Sequence, residues 1–249
     1  MTTKISVLLT FVTLLFANLA LAQGAGVVAH LDGTAQVQTG TATPRVLRLG
    51  DQVLQGDTVS TGANSNIVLK FDDGEVAALS QNSRMTITAY QYEPSSRTGN
   101  MLLSLVRGGM RAITGLLGAN HPERVAYRAA TTTIGIRGTD VEIATDGADV
   151  VVTVLSGTIT VTVGTQTVTL GVGQSATIHL NGITMGASGN QTVISALHDV
   201  NAPAIADALN AVVGGGTGAG AGAGSSSGTI SSGVTPGGGG SGGGSVSVH

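Results

Sequence analysis

Cysteine is absent from the 249 residues, and so is tryptophan. Without cysteine there are no disulfides, no thiolate metal sites and no thiol catalysis, so an exported chain of this size must be held by its core alone. Aromatics make up only 2% of the chain, and beyond residue 22 they are Phe71, Tyr90, Tyr92 and Tyr127. Stacking platforms need exposed rings in number; these are too few, and the core must come from Val, Ile, Leu and Ala. Charged residues make up 10%, with a net charge of −3, which argues against nucleic acid or an anionic membrane as partner. His30, His121, His179 and His198 lack metal-ligand spacing. The Gly224–Gly228 stretch matches G-x-S-x-G but has neither the preceding strand nor the following helix of a hydrolase elbow. No nucleophile–base pair, metal set or cofactor site is visible, so the expectation is a protein that is not an enzyme.

What is present begins with a leader. Lys4 is followed by an apolar run from Ile5 to Leu19 and by Ala20-Leu21-Ala22, the small-residue pattern of a signal-peptidase site. Cleavage after Ala22 leaves ten basic and fourteen acidic side chains. No later segment approaches the ~20 apolar residues of a membrane-spanning helix, so no transmembrane segment is expected after cleavage.

Residues 23–185 carry the grammar of short strands and glycine turns. Val150, Val152 and Val154 alternate, Ser156-Gly157 breaks the run, and Ile159, Val161 and Val163 alternate with Thr158, Thr160 and Thr162. Val168 and Leu170 alternate with Thr167 and Thr169, and Asn181-Gly182 is a hairpin signal. Period-2 alternation puts the aliphatics on one face and threonine on the other, as in an antiparallel sheet with one wet face. Earlier, Val27–Leu31 and Thr34–Val37 flank Asp32-Gly33, while Asn66–Phe71 and Glu75–Leu79 flank Asp72-Asp73-Gly74. Residues 101–113 are expected as two strands around a turn at Gly108-Gly109, and 115–123 as an exposed loop. Gly50-Asp51 and Gly56-Asp57 are related corner turns whose six-residue spacing hints at a short β-helical coil. The expected fold class is mainly β, an antiparallel sandwich or roll, β-helical in part on that hint.

Residues 186–213 are expected as a linker and one short helix, capped by Asn201, with Ile205, Leu209 and Val212 on one face. Such a short helix must dock to persist, and its own domain is the nearest support. Residues 214–249, with sixteen glycines and eight serines, are expected as a disordered tail.

The most specific stretch is Thr131–Ile143, containing Arg137-Gly138-Thr139-Asp140. Together with Gly50-Asp51, Gly56-Asp57, Phe71-Asp72-Asp73-Gly74, Ser80–Ser83 and Arg107-Gly108-Gly109-Met110-Arg111, it resembles the FecR family across roughly residues 25–180. The resemblance implies a mostly β domain outside the cytoplasmic membrane, without catalysis or cofactor. The best-known members relay a signal from an outer-membrane ferric-siderophore receptor to a sigma factor. Their cytoplasmic segment and membrane helix are replaced here by a signal peptide leading directly into the β region, which points to a stand-alone exported form.

Arg107, Arg111, Arg124, Arg128 and Arg137 fall within 31 positions that hold one acid, Glu123. Arginine suits recognition of carboxylate or phosphate because its guanidinium offers two parallel hydrogen bonds, so the stretch reads as an anion or acidic-partner patch. With Thr139 and Asp140 these are the candidate partner contacts; the bland alternative is scattered pairing with Asp72, Asp73, Glu75 and Asp140. Within the corner, Arg137 is expected to brace a carboxylate, and Thr139 and Asp140 to bind turn amides. The leading expectation is a protein-interaction or signalling module, in the periplasm or outside a Gram-negative cell, whose partner is another envelope protein. The alternative is a structural cell-surface, matrix or adhesin-associated component, and self-association through uncharged strands remains open.

Overall fold

The computed structural model describes residues 24–186 and 202–210. The chain divides into two units, Met1–Gly215 and Gly216–His249. The leader, residues 187–201 with the cap expected at Asn201, Val212 and the Gly/Ser tail lie outside the described residues.

Fifteen strands follow one another: β1 Gly24–Asp32, β2 Ala35–Thr39, β3 Arg45–Val46, β4 Gln52–Leu54, β5 Asp57–Thr61, β6 Asn66–Phe71, β7 Val76–Leu79, β8 Arg84–Glu93, β9 Thr98–Ile113, β10 Val125–Ala129, β11 Thr132–Thr145, β12 Val150–Val163, β13 Gln166–Gly171, β14 Ser175–His179 and β15 Gly182–Met185. Among the described residues two helices accompany them, α1 Leu116–Asn120 between β9 and β10 and α2 Ala202–Asn210 after β15, with a 3-10 turn at Pro122–Arg124. The mainly β expectation holds. All described strand pairs are antiparallel except β9 with β10, where Met101–Leu105 runs alongside Val125–Ala129.

The strands form one hydrogen-bonded sheet that doubles over itself. β9, β11 and β12 are long enough to run through both layers. In the first layer the order is β15-β14-β12-β11-β9-β7-β6-β1-β4, using the residues of β9 from Gly108, of β11 from Asp140 and of β12 up to Ser156. In the second it is β13-β12-β11-β10-β9-β8-β5-β2-β3, using the opposite halves of the same three strands. Alternation sends Ile67, Leu69, Val141, Ile143 and Val152 inward from one layer, and Met85, Leu103, Tyr127, Ile134 and Val161 inward from the other; all are in one core cluster. Burying each aliphatic side chain fully contributes about 1.5–3 kcal/mol, which lets an aromatic-poor, cysteine-free chain hold this shape.

Three sequence expectations change where strands cross between layers. Gly108-Gly109 and Ser156-Gly157 are not turns: β9 and β12 run through them as bends. Gly108 has φ +87 and Gly157 φ +79, a left-handed conformation that costs glycine nothing. A Cβ on Gly157 would fall well inside contact distance of the Gly138 carbonyl oxygen, so β11 and β12 bend together. Likewise β1 and β2 do not pair across Asp32-Gly33; β1 pairs with β4 and β6, and β2 with β3 and β5, so the chain changes layer there. A local turn signal cannot distinguish a reversal from a bend, because both need the same backbone freedom.

The expected loop at 115–123 is also partly folded: Leu117 of α1 is fully buried. The β14–β15 hairpin forms one residue earlier than Asn181-Gly182 suggests, with His179 opposite Gly182. α2 lies on the outer face of the first layer, where Ala204, Ile205 and Ala208 bury against Val68, Val76 and Ala78, with Leu209 alongside.

Candidate functional site

The five clustered arginines part company at the bends. Arg111 lies on the first layer beside Ala78 and Glu142. It donates from Nε to Asp140 Oδ1 at 2.9 Å and from Nη2 to Oδ2 at 2.7 Å. Both side chains are mostly covered, at 15% and 18% exposure. This bidentate bond raises the Arg111 pKa. The carboxylate brace expected of Arg137 is therefore made by Arg111. The Thr139 hydroxyl meets the Thr114 hydroxyl at 3.1 Å and not a turn amide, while its N–H donates to Thr114 Oγ1 at 2.9 Å and its carbonyl accepts the Thr114 N–H. Arg111, Thr139 and Asp140 together fasten the β11 bend to β9.

A second buried group fixes the segment after β9. Asp73 and Glu75 are both fully buried. Asp73 accepts the N–H groups of Glu75 and Leu117, each at 3.2 Å, and Tyr127 donates its hydroxyl to Glu75 Oε1 at 3.0 Å. Burial, with the charge of Asp73 adding to it, pushes the Glu75 carboxyl well above its usual range; burial also raises Asp73 and lifts the Tyr127 phenol. The group anchors α1 from inside, so neither acid is available to the arginines.

The other arginines share the outer face of the second layer. Arg128 follows the inward Tyr127, Arg137 follows the inward Ile136, and Arg107 pairs across the strands with Arg84, at an irregularity where Met85 opposes Leu105. Arg124 stands beside them in the 3-10 turn, 3.8 Å from Glu123. Arg84, Arg107, Arg128 and Arg137 are exposed and form no ion pair among the described residues.

Around them is a field of hydroxyls. Cross-strand neighbours Thr58, Thr86, Ser104, Arg128, Thr133, Thr162 and Thr167 make one row over seven strands, with Arg128 at its centre. Thr58 and Thr86 are hydrogen-bonded at 2.9 Å and Thr162 and Thr167 at 3.1 Å. In the next row Gly135 lacks a side chain, leaving a shallow groove of about 390 Å³ lined by Glu123, Arg137, Thr158, Thr160 and Thr169. Among the described residues carboxylates stand at the margins: Glu93 at the β8–β9 hairpin, Glu123 in the 3-10 turn, and Asp146 beside Gly147, which lines a second pocket with Arg128. A flat face of this kind offers guanidinium and hydroxyl donors to an anionic, hydrogen-bonding surface. Among the described residues no group of three or more His, Cys, Asp or Glu is placed to hold a metal ion, and no helix is long and apolar enough to cross a membrane.

Sequence reasoning missed Arg84, Thr58, Thr86, Ser104 and Thr133 as members of this face. They lie up to 109 positions from Thr167 in the chain, and only strand register brings them into line. The threonines from 158 to 169 were visible as a ladder because they sit on one hairpin.

No curated protein matches the chain. Two crystal structures of a candidate anti-sigma factor from Parabacteroides distasonis ATCC 8503 resemble it at 15% identity, with TM-scores of 0.42 and 0.43. The similarity covers 55% of this chain and 62% of theirs, so this chain spans less than two thirds of their length. Residues 57–160 match the family model described as FecR protein. That span runs from β5, through the buried Asp73–Glu75 group and all three bent strands, into the β12 half that carries the threonines, and over it the chain is similar to the FecR family.

Proposed function

We propose that this protein is an exported, non-enzymatic interaction module of the Gram-negative cell envelope. It docks a protein partner on the outer face of its second layer and serves signalling or regulation. The observation that carries the reading is the set of four exposed arginines without ionic partners, spread over a hydroxyl field. An isolated surface charge is ordinary. Four of one sign on one flat face, with acids at its margins, form a field that favours an acidic protein surface and speeds encounter with it. The leader-like residues 1–22 and the FecR resemblance support export and an envelope partner.

The test is capture from native envelope extract by the immobilised mature chain, compared with a variant carrying Arg107→Ala, Arg128→Ala and Arg137→Ala. The expected result is a discrete protein that the parent retains, that moderate salt releases, and that the variant fails to hold. Identical retained sets on both columns overturn the docking face. Export is tested separately, by fusing residues 1–22 to a reporter that is active only outside the cytoplasm.

A further inference from the structure

A folded-over sheet that does not close leaves edge strands, and exposed edges invite pairing with another chain. Most edges here are short or blunted. β3 is two residues long and follows Pro44. β4 is three residues long; Arg45 donates to the Gln52 carbonyl at 2.9 Å, and the Leu54 N–H donates to Asp57 Oδ2 at 2.9 Å. β15 is four residues long.

Among the described residues β13 has no such protection. Its six residues, Gln166–Gly171, pair with β12 in unbroken register and contain no charge, proline or bulge. The turn at Gly164-Thr165 is two residues long, so Val163 and Gln166 form the closing hydrogen-bonded pair. Alternation then turns the N–H and C=O groups of Thr167 and Thr169 away from β12. The open window is bounded at both ends. Gly171 donates its N–H to Gln174 Oε1 at 2.7 Å and accepts the Gln174 N–H at 3.0 Å, and the Gln166 side chain stands beside Gly182.

We infer that this window, Thr167–Thr169, pairs antiparallel with the same window of a second copy, about a twofold axis at Val168. A second copy fits because the window is self-complementary. Thr167 meets Thr169 of the second copy twice over, giving four backbone hydrogen bonds, and the two Val168 side chains meet on the axis. The hydroxyl row that ends at the Thr162–Thr167 bond continues across the junction. The window carries no charge to select a charged partner. Opposed residues of an antiparallel pair point to the same side, so the two arginine faces lie side by side. This makes the module bivalent, but the pairing does not depend on the proposed docking reading. The contact is short, which sets a weak, reversible dimer rather than an obligate one.

The test uses the full mature chain. Sedimentation equilibrium from about 1 µM to about 1 mM is expected to show reversible monomer–dimer exchange, with a dissociation constant above about 10 µM. Val168→Cys is expected to give a disulfide-linked dimer under mild oxidation, because a non-hydrogen-bonded antiparallel pair sets its Cα atoms about 4.5 Å apart, within disulfide reach. Thr160→Cys, on the neighbouring strand, stays monomeric; the parent's lack of cysteine makes either result unambiguous. Thr169→Pro removes an outward N–H without touching a ladder bond and is expected to keep the β circular-dichroism spectrum while losing the dimer. A single monomeric species throughout the range, equal cross-linking of the two cysteine variants, or unchanged dimerisation of folded Thr169→Pro each overturns the inference.

Discussion

The outer faces of the two layers are made from the same long strands, yet they treat arginine in opposite ways. On the first layer Arg111 is 15% exposed and locked to Asp140, with α2 covering Val68, Val76 and Ala78 nearby. On the second, Arg137 is only three positions from Asp140 in the chain, but it lies across the Gly138 bend, exposed and in no ion pair among the described residues. The difference shows that the Arg-Gly-Thr-Asp corner is a divider. It places its acid on the covered side, where the acid closes a structural bond, and its arginine on the open side, where the charge is left for something else.

The comparison breaks most completely if the bend is removed. Gly157→Val forces a side chain into the Gly138 backbone and a β-branched residue into a left-handed conformation; chemical denaturation is expected to show a loss of about 3 kcal/mol. Next is the covered side itself. Asp140→Ala leaves the Arg111 guanidinium largely covered and unpaired, and an expected loss of about 2 kcal/mol allows for its partial solvation. A loss as small as that of an exposed arginine would erase the distinction between the faces.

The buried acid group gives a third measure. The folded-state pKa of Glu75 lies above its ordinary value of 4.5. Its contribution to stability is therefore fully present below pH 4.5 and is lost as pH rises through the folded-state pKa. Asp73, also raised, acts in the same direction from 3.8 upward. Asp32 and Asp146 are lowered from 3.8 and Glu93 from 4.5, so their contributions are lost as pH falls below those values. Urea midpoints between pH 4.5 and 7.5 are expected to fall with rising pH, with a Glu75 share of up to about 1.4 kcal/mol per pH unit. Glu75→Gln should remove that share. The smallest effect belongs to the open face: Arg137→Ala is expected to change unfolding by less than about 0.5 kcal/mol, and calorimetry showing more would mean that Arg137 is structural.

How much was legible beforehand depended on the range of the signal. The core valines and isoleucines of β12 and β13, the Asn66–Leu79 hairpin and the helix at 202–210 all follow from periods of two or 3.6, which a short window contains. Gly108, Ser156-Gly157 and Asp32-Gly33 were misread because a glycine records a need for unusual backbone angles and not what the chain does afterwards. Leu117 gave no sign of its burial, since the acid that holds its N–H is Asp73, 44 residues earlier.

By itself the sequence determined that the chain is β, that its core is aliphatic and free of thiol chemistry, and that arginines crowd one stretch. Alternation and composition are local, and local preferences are enough to set them. Which arginine is buried, which acid it meets, and that Arg84 and Thr58 join a face with Arg128 and Thr167 were decided only by the tertiary structure. Pairing register and the three shared bends are agreements between segments far apart in the chain, and no residue's own chemistry contains them.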